Sequence, residues 1–255
     1  MADIMPVMPL GKLAPKHDAR IPMLAKYTGA LPPAPAACAW GLHGPADWGA
    51  MLNDTIGDCT CAGIGHAIQT WTLNSTGKMV TLPNSAIEKL YEKFGYVPGQ
   101  LSTDNGAVET DVLKYWLTHP TDGHHLDGFV ALQPRDIADI KDAIWIFGGA
   151  YIGLALPLTA QGQSVWLVTP EGLGGNGAPG SWGGHCVYVT GYDGRFVYFI
   201  SWGLPMRMSW NFWWAYCDES YALLSPDWIE TTGMTPSDFD CAALIADMAE
   251  LRNAA

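Results

Sequence analysis

Cys59 and His185 are the two residues whose types and settings best fit covalent chemistry. Cys59 follows Asp58 in IGDCTCAGIGHAIQTWTL, where Asp58 is an N-cap candidate and the thiol takes the first helical position. The open N–H groups and positive end of a helix stabilise a thiolate, and the same groups can hold a developing oxyanion. His185 stands on a strand-like run after Gly183-Gly184. An imidazole facing the thiol could take its proton and return it. Each residue also has a plain structural alternative: Cys59 as a small apolar residue at a helix start, His185 as a core histidine beside Trp202.

Positioning such a pair requires a helix and a hairpin from distant parts of the chain. Helical spacing runs from Cys59 to about Asn74. It recurs after Asn84 with Ile87, Leu90, Tyr91 and Phe94, and again over about 106–118 with Val108, Val112, Tyr115 and Trp116. Pro134 opens a further helix with Ile137, Ile140, Ile144 and Phe147 inward. Strand-like runs follow at 150–156, 163–168, 184–192 and 195–201. Asp193-Gly194 reads as a two-residue hairpin turn. That turn sets Tyr192 opposite Arg195 and carries His185 opposite Trp202, with Ile200 and Ser201 nearby. The layout is α+β, helical first and antiparallel second, with a cleft expected between the halves. Residues 1–37, rich in Pro, Ala and Met, read as an extended arm. Residues 235–255 read as a C-terminal helix capped by Thr235, with Pro236 at its first position and Asp238 completing the cap.

The 255 residues are 49% hydrophobic and 15% charged, enough for a sizeable core and too apolar for disorder. A net charge of −12, with no Lys/Arg run, argues against nucleic acid as a partner. No stretch reads as a membrane span, and the first twenty residues do not read as a secretory signal. With six cysteines in no dense framework, reduced thiols and a cytoplasmic location are expected. Neither a cofactor nor a metal site is expected. Cys59, Cys61 and His66 do not converge from one helix. His119, His124 and His125 fit a solvated loop. GLGGNGAPG (172–180) lacks the lysine of a phosphate loop. WNFWWAY (210–216) reads as core aromatics.

NDTIGDCTCAG resembles the nucleophile segment of papain-like cysteine peptidases, and HCVYVTGYDGRFVYFISWG resembles their histidine strand and following Trp-Gly. The order of elements agrees, and the resemblance spans about 38–224. It implies a two-lobed fold: a mainly helical lobe (38–128) and a mainly β, barrel-like lobe (129–234), flanked by the arm and the C-terminal helix. Carried over, Cys59 is the nucleophile and His185 its proton partner. Asn53 stands where the family has its oxyanion-hole glutamine, and Trp202 shields the histidine. Asn105-Gly106 resembles the stretch that binds substrate backbone. A peptide or protein substrate in the inter-lobe cleft is implied.

Three departures bear on function. The orienting asparagine falls on Ile200, which cannot accept from an imidazole N–H. Ser201 substitutes only if the strand register slips by one residue. Asn53 is one methylene shorter than glutamine, and Asp58 opposes ionisation of the adjacent thiol. The family carries a long inhibitory propeptide; the arm here is short, and either crosses the cleft or packs elsewhere. Two readings follow. One is a slow thiol-dependent hydrolase of peptide or isopeptide bonds. The other is an impaired papain-like fold serving a larger assembly, such as a virion particle, through its arm and C-terminal helix.

Overall fold

The computed structural model describes residues 8–26, 33–229 and 246. The expected C-terminal helix falls outside these, apart from Ala246. The elements run β1 (Cys38–Ala39), α1 (Cys59–Thr76), α2 (Asn84–Glu92), α3 (Glu109–Thr118), β2 (Gly128–Ala131), α4 (Ile137–Phe147), β3 (Ala150–Leu156), β4 (Gly183–Tyr192), β5 (Phe196–Ser201), β6 (Leu204–Ser209), α5 (Trp210–Tyr216) and β7 (Cys217–Leu224). The layout is α+β, as expected. The sheet is antiparallel and open, in the order β2-β7-β3-β4-β5-β6, with β1 added to β4.

Helix α1 is the central element. Every residue from Cys59 to Thr72 is buried around the whole circumference rather than along one stripe, and the polar His66 and Gln69 pair with each other at 2.8 Å. It ends at Gly77, whose φ of 71° supplies the left-handed C-cap. Tyr151 of β3 donates its hydroxyl to Thr60 O at 2.7 Å, tying the helix to the sheet. One core gathers α1, α2 and α3 against Tyr151, Tyr188 and Tyr221 of the sheet. A second lies on the sheet's other face, with α4, α5, Trp166 and Trp202. The two cores thus share one sheet, one on each face.

Several expectations need correction. The run 163–168 is not a strand; Trp166 makes only a single bridge, to Met208. The α4 helix is capped by Asp136, whose side chain accepts from Ala138 and Asp139 N–H, so it starts after Pro134 rather than at it. The 193–194 turn is wider than two residues. Tyr192 pairs with Val197, and after a bulge between Val189 and Gly191, Tyr188 pairs with Ile200. Asp193 causes this: its carboxylate accepts from the N–H groups of both Arg195 and Phe196, each at 2.7 Å, closing a longer loop. Past the bulge the pairing is one residue out of the expected register.

The arm both crosses the cleft and packs beyond it. Residues 9–13 run between α1 and β4. Farther on, Ile21 and Leu24 enter the two cores, and Ala131 N–H of edge strand β2 donates to Pro22 O at 2.8 Å. Among the described residues, no helix is long and apolar enough to cross a membrane.

Candidate active site

Cys59 opens α1, as expected. Asp58 occupies the N-cap position but makes no side-chain cap hydrogen bond. The chain reaches this point through a strained turn: Met51 and Leu52 have φ of 54° and 74°, and Thr55 and Ile56 N–H both return to Leu52 O. The turn buries Asn53, whose Nδ2 donates to Ile56 O at 3.3 Å. The amide expected at an oxyanion is therefore engaged within its own turn.

β4 passes the start of α1. The backbone N–H of Cys186, the residue after His185, donates to the Cys59 sulfur at 3.4 Å, while no hydrogen bond joins the His185 ring to that sulfur. His185 Nε2 is 2.7 Å from Ser201 Oγ, while its Nδ1 is buried without a hydrogen-bond partner. The slipped register thus gives Ser201, not Ile200, the place beside the ring. Ile200 pairs with Tyr188 and Pro205 and is a buried core residue. Trp202 stacks on the imidazole, with centroids 4.5 Å apart and planes 18° from parallel. Trp166 meets it edge-on at 6.4 Å. Trp202 thus forms one wall of the imidazole and Trp166 a second. Trp202 holds a φ of 50°, and Trp48 N–H donates to Gly203 O at 2.7 Å, clamping the 48–50 loop of the helical side.

The cleft is filled by the chain itself. Lys12 N–H donates to Gly184 O at 3.1 Å, Leu13 N–H to Ala107 O at 3.0 Å, and Ala107 N–H to Gly11 O at 2.8 Å. The arm therefore pairs in parallel with the segment at Ala107. Trp202 Nε1 donates to Pro9 O at 3.2 Å. Glycines admit this segment. A Cβ on Gly184 would lie 2.1 Å from Lys12 O, one on Gly106 2.0 Å from Gly11 O, and one on Gly11 1.5 Å from Gly57 O. Gly106, with a φ of 75°, thus lies against the arm backbone, whereas Asn105 is exposed and turns its amide to Ser102 O. An open groove of about 710 Å³ lies elsewhere, along Leu42, Tyr198, Met206 and Arg207.

Covering the cleft controls the charges in it. Cys59 is 1% exposed and His185 wholly buried. Burial pushes the thiol up to about 12, with the Asp58 and Glu109 charges adding to the effect; the N–H groups of Cys186 and Gly11 oppose it. Burial drives His185 down to about 3. In this state both groups are neutral at ordinary pH. Cys38, Cys59, Cys61, Cys186 and Cys217 are all free thiols, and Cys61 is a buried core residue, so Cys59 and Cys61 are not bridged.

Lys12 leads into a cluster that sequence reasoning missed. Its Nζ lies 3.0 Å from Asp218 Oδ2 and 2.9 Å from Glu219 Oε1, almost fully buried. Glu109 is fully buried beside them. Burial alone would lower the lysine, but Glu109, Glu219 and Asp218 outweigh it, and Lys12 stays charged. Burial and the Glu219 charge raise Glu109, against the pull of Lys12. A lone lysine inside the apolar run 4–15 was the available signal. Among the described residues, no group of three or more His, Cys, Asp or Glu could hold a metal ion.

Solved structures share this backbone. Xylellain, a cysteine protease from Xylella fastidiosa, superposes with a TM-score of 0.62 at 14% identity, over 85% of this chain and 96% of that one. Digestive procathepsin L 3 of the Tenebrio molitor larval midgut gives 0.58 at 14% identity, over 84% and 75% of the two chains. The fold is papain-like. A third papain-like neighbour, procathepsin B S9 from Trypanosoma congolense, gives 0.57 at 9% identity over 86% of each chain. No protein-family model matches the chain, and no curated protein matches it in sequence. The papain-like fold is thus established through structure, at identities where sequence similarity has faded.

Proposed function

We propose that this protein is a latent thiol-dependent hydrolase of peptide bonds, with Cys59 as nucleophile, His185 as proton carrier and residues 9–13 as a built-in cover. The observation that carries the reading is the extended segment held by backbone hydrogen bonds across the cleft at Cys59. A site that seats one extended peptide so completely is built to seat another. The cover meets the sulfur through the Gly11 N–H, while the Gly11 carbonyl accepts from Ala107 N–H.

When the cover leaves, water and substrate restore solvation, and the thiol can pass its proton to His185 Nδ1. The thiolate then attacks the scissile carbonyl carbon, with the Cys59 N–H at the open helix start as an oxyanion donor. Collapse of the tetrahedral adduct breaks the C–N bond, Nδ1–H protonates the departing amine, and a thioester remains. Water, deprotonated by Nδ1, hydrolyses the thioester and regenerates the thiol. Turnover is slow for two reasons. Ser201 Oγ both donates and accepts, so it does not fix the ring tautomer, and a ring protonated at Nδ1 cannot take the thiol proton. The Asn53 amide is committed to Ile56 O.

The test is iodoacetamide labelling of the full chain with mass mapping, comparing the parent with Gly11→Val. A side chain at 11 collides with Gly57 O and unseats the cover. Cys59 should label at least tenfold faster in Gly11→Val at pH 8, and a fluorogenic peptide reporter should be cleaved only by the variant. If Cys59 labels no faster than the other thiols once the cover is shown to be displaced, the protein is a structural or binding component rather than an enzyme.

A further inference from the structure

We propose that Glu109, Asp218 and Glu219 form a pocket selective for a basic side chain, so that the peptides accepted at Cys59 carry lysine or arginine at the residue entering it. The inference rests on the hydrolase reading and adds a substrate class to it. Three independent features support it. The pocket already holds a lysine: Lys12 Nζ meets Asp218 and Glu219 at 3.0 and 2.9 Å and also donates to Leu13 O at 3.2 Å. Glu109 is fully buried, and neither carboxylate oxygen has a hydrogen-bond partner. The wall is cut to fit a long stem, since a Cβ on Gly153 of β3 would lie 2.0 Å from Lys12 Cε and 2.7 Å from Glu219 Cγ.

The backbone fixes which residue enters. Gly184 O accepts from Lys12 N–H, while Ala107 grips the residues on either side through Gly11 O and Leu13 N–H. A peptide held by the same backbone groups delivers one side chain over Gly153. Tyr221 donates its hydroxyl to Glu219 Oε2 at 2.9 Å, holding that carboxylate at the pocket wall. A neutral side chain entering here leaves the buried Glu219 and Glu109 without a cation, whereas an ammonium or guanidinium takes over the contacts of Lys12 with Glu219 and Asp218. The three acids do not form a metal site.

Two measurements on the full-length Gly11→Val protein test this. The first is fluorescence-anisotropy binding of the peptide Pro-Leu-Gly-Lys-Leu-Ala and of its norleucine analogue. The lysine peptide should bind at least tenfold more tightly, and Glu219→Gln should shrink that ratio to near one. Asp218→Asn is the second variant if Glu219→Gln does not fold. Equal binding of the two peptides, or binding of neither, overturns the pocket. The second is cleavage of a peptide library, in which basic residues should be enriched at least tenfold at one position. Cleavage with no basic preference overturns the pocket and leaves the hydrolase intact. Tight, lysine-dependent binding with no cleavage and an unreactive Cys59 retains the pocket as a binding site and removes the hydrolase.

Discussion

Ser201 does part of an orienter's work with a hydroxyl. Its Oγ, 2.7 Å from His185 Nε2, is the ring's one hydrogen-bond partner, so losing it frees the imidazole to rotate. In the Gly11→Val background, Ser201→Ala should slow Cys59 alkylation at pH 8 by about tenfold or more, and His185→Ala at least as much; iodoacetamide kinetics checks both. Faulty orientation in the serine-protease template costs far more, about 10⁴, but a thiol ionises more easily. Ile200→Asn, suggested by the family pattern, should instead cost about 1–3 kcal/mol of stability in urea unfolding, because the amide would be buried without a partner. Native His185 lies near 3 against an ordinary 6.5. A depressed histidine contributes stability above about 6.5 that is lost as pH falls towards 3. At about 1.4 kcal/mol per unit, at most about 3 kcal/mol should go between pH 7 and 4. Urea melts of the parent and His185→Gln should show the parent losing more over that interval.

Caps divide the helices into two kinds. Asp136 caps α4 through two backbone N–H groups, and Asp136→Ala should cost about 1 kcal/mol in denaturant melts. Asp58 occupies the same position on α1 without capping, is fully buried, and is raised by that burial. Asp58→Asn should be neutral or stabilising in the same melts. The elements legible in the sequence were those with clean periods or strong punctuation: α1 after Asp58, α2 with its four-residue face, and β3 to β5. Strand β7 was not legible. CDESYALL carries two acids straight after Cys217 and lacks alternation, because most of its residues are buried on both faces between β2 and β3. Missing β7 hid Asp218 and Glu219, and with them the partner of Lys12. Ser201 was legible only conditionally, since its place depends on a bulge set by Asp193.

The whole molecule is closed by its own N-terminal segment, and backbone exchange can follow that closure. The amides of Lys12, Leu13 and Ala107 donate to Gly184, Ala107 and Gly11. In Gly11→Val these three should lose hydrogen-exchange protection together, while amides within α1 keep theirs; hydrogen-exchange mass spectrometry resolves the two groups. The same chain continues into firm anchorage: Lys16 pairs with Asp111, Lys114 with Asp18, and Ile21 and Leu24 are buried. The covering residues are thus on a leash only a few residues long. Tethering of that kind gives a local concentration on the order of millimolar, whatever the amount of protein in solution. On the proposed reading, latency is a first-order property that dilution does not relieve. A single cut between residues 13 and 16 would change the order of the reaction. The freed strip would become an ordinary solute, facing its seat at bulk concentration, and dilution alone would carry it away.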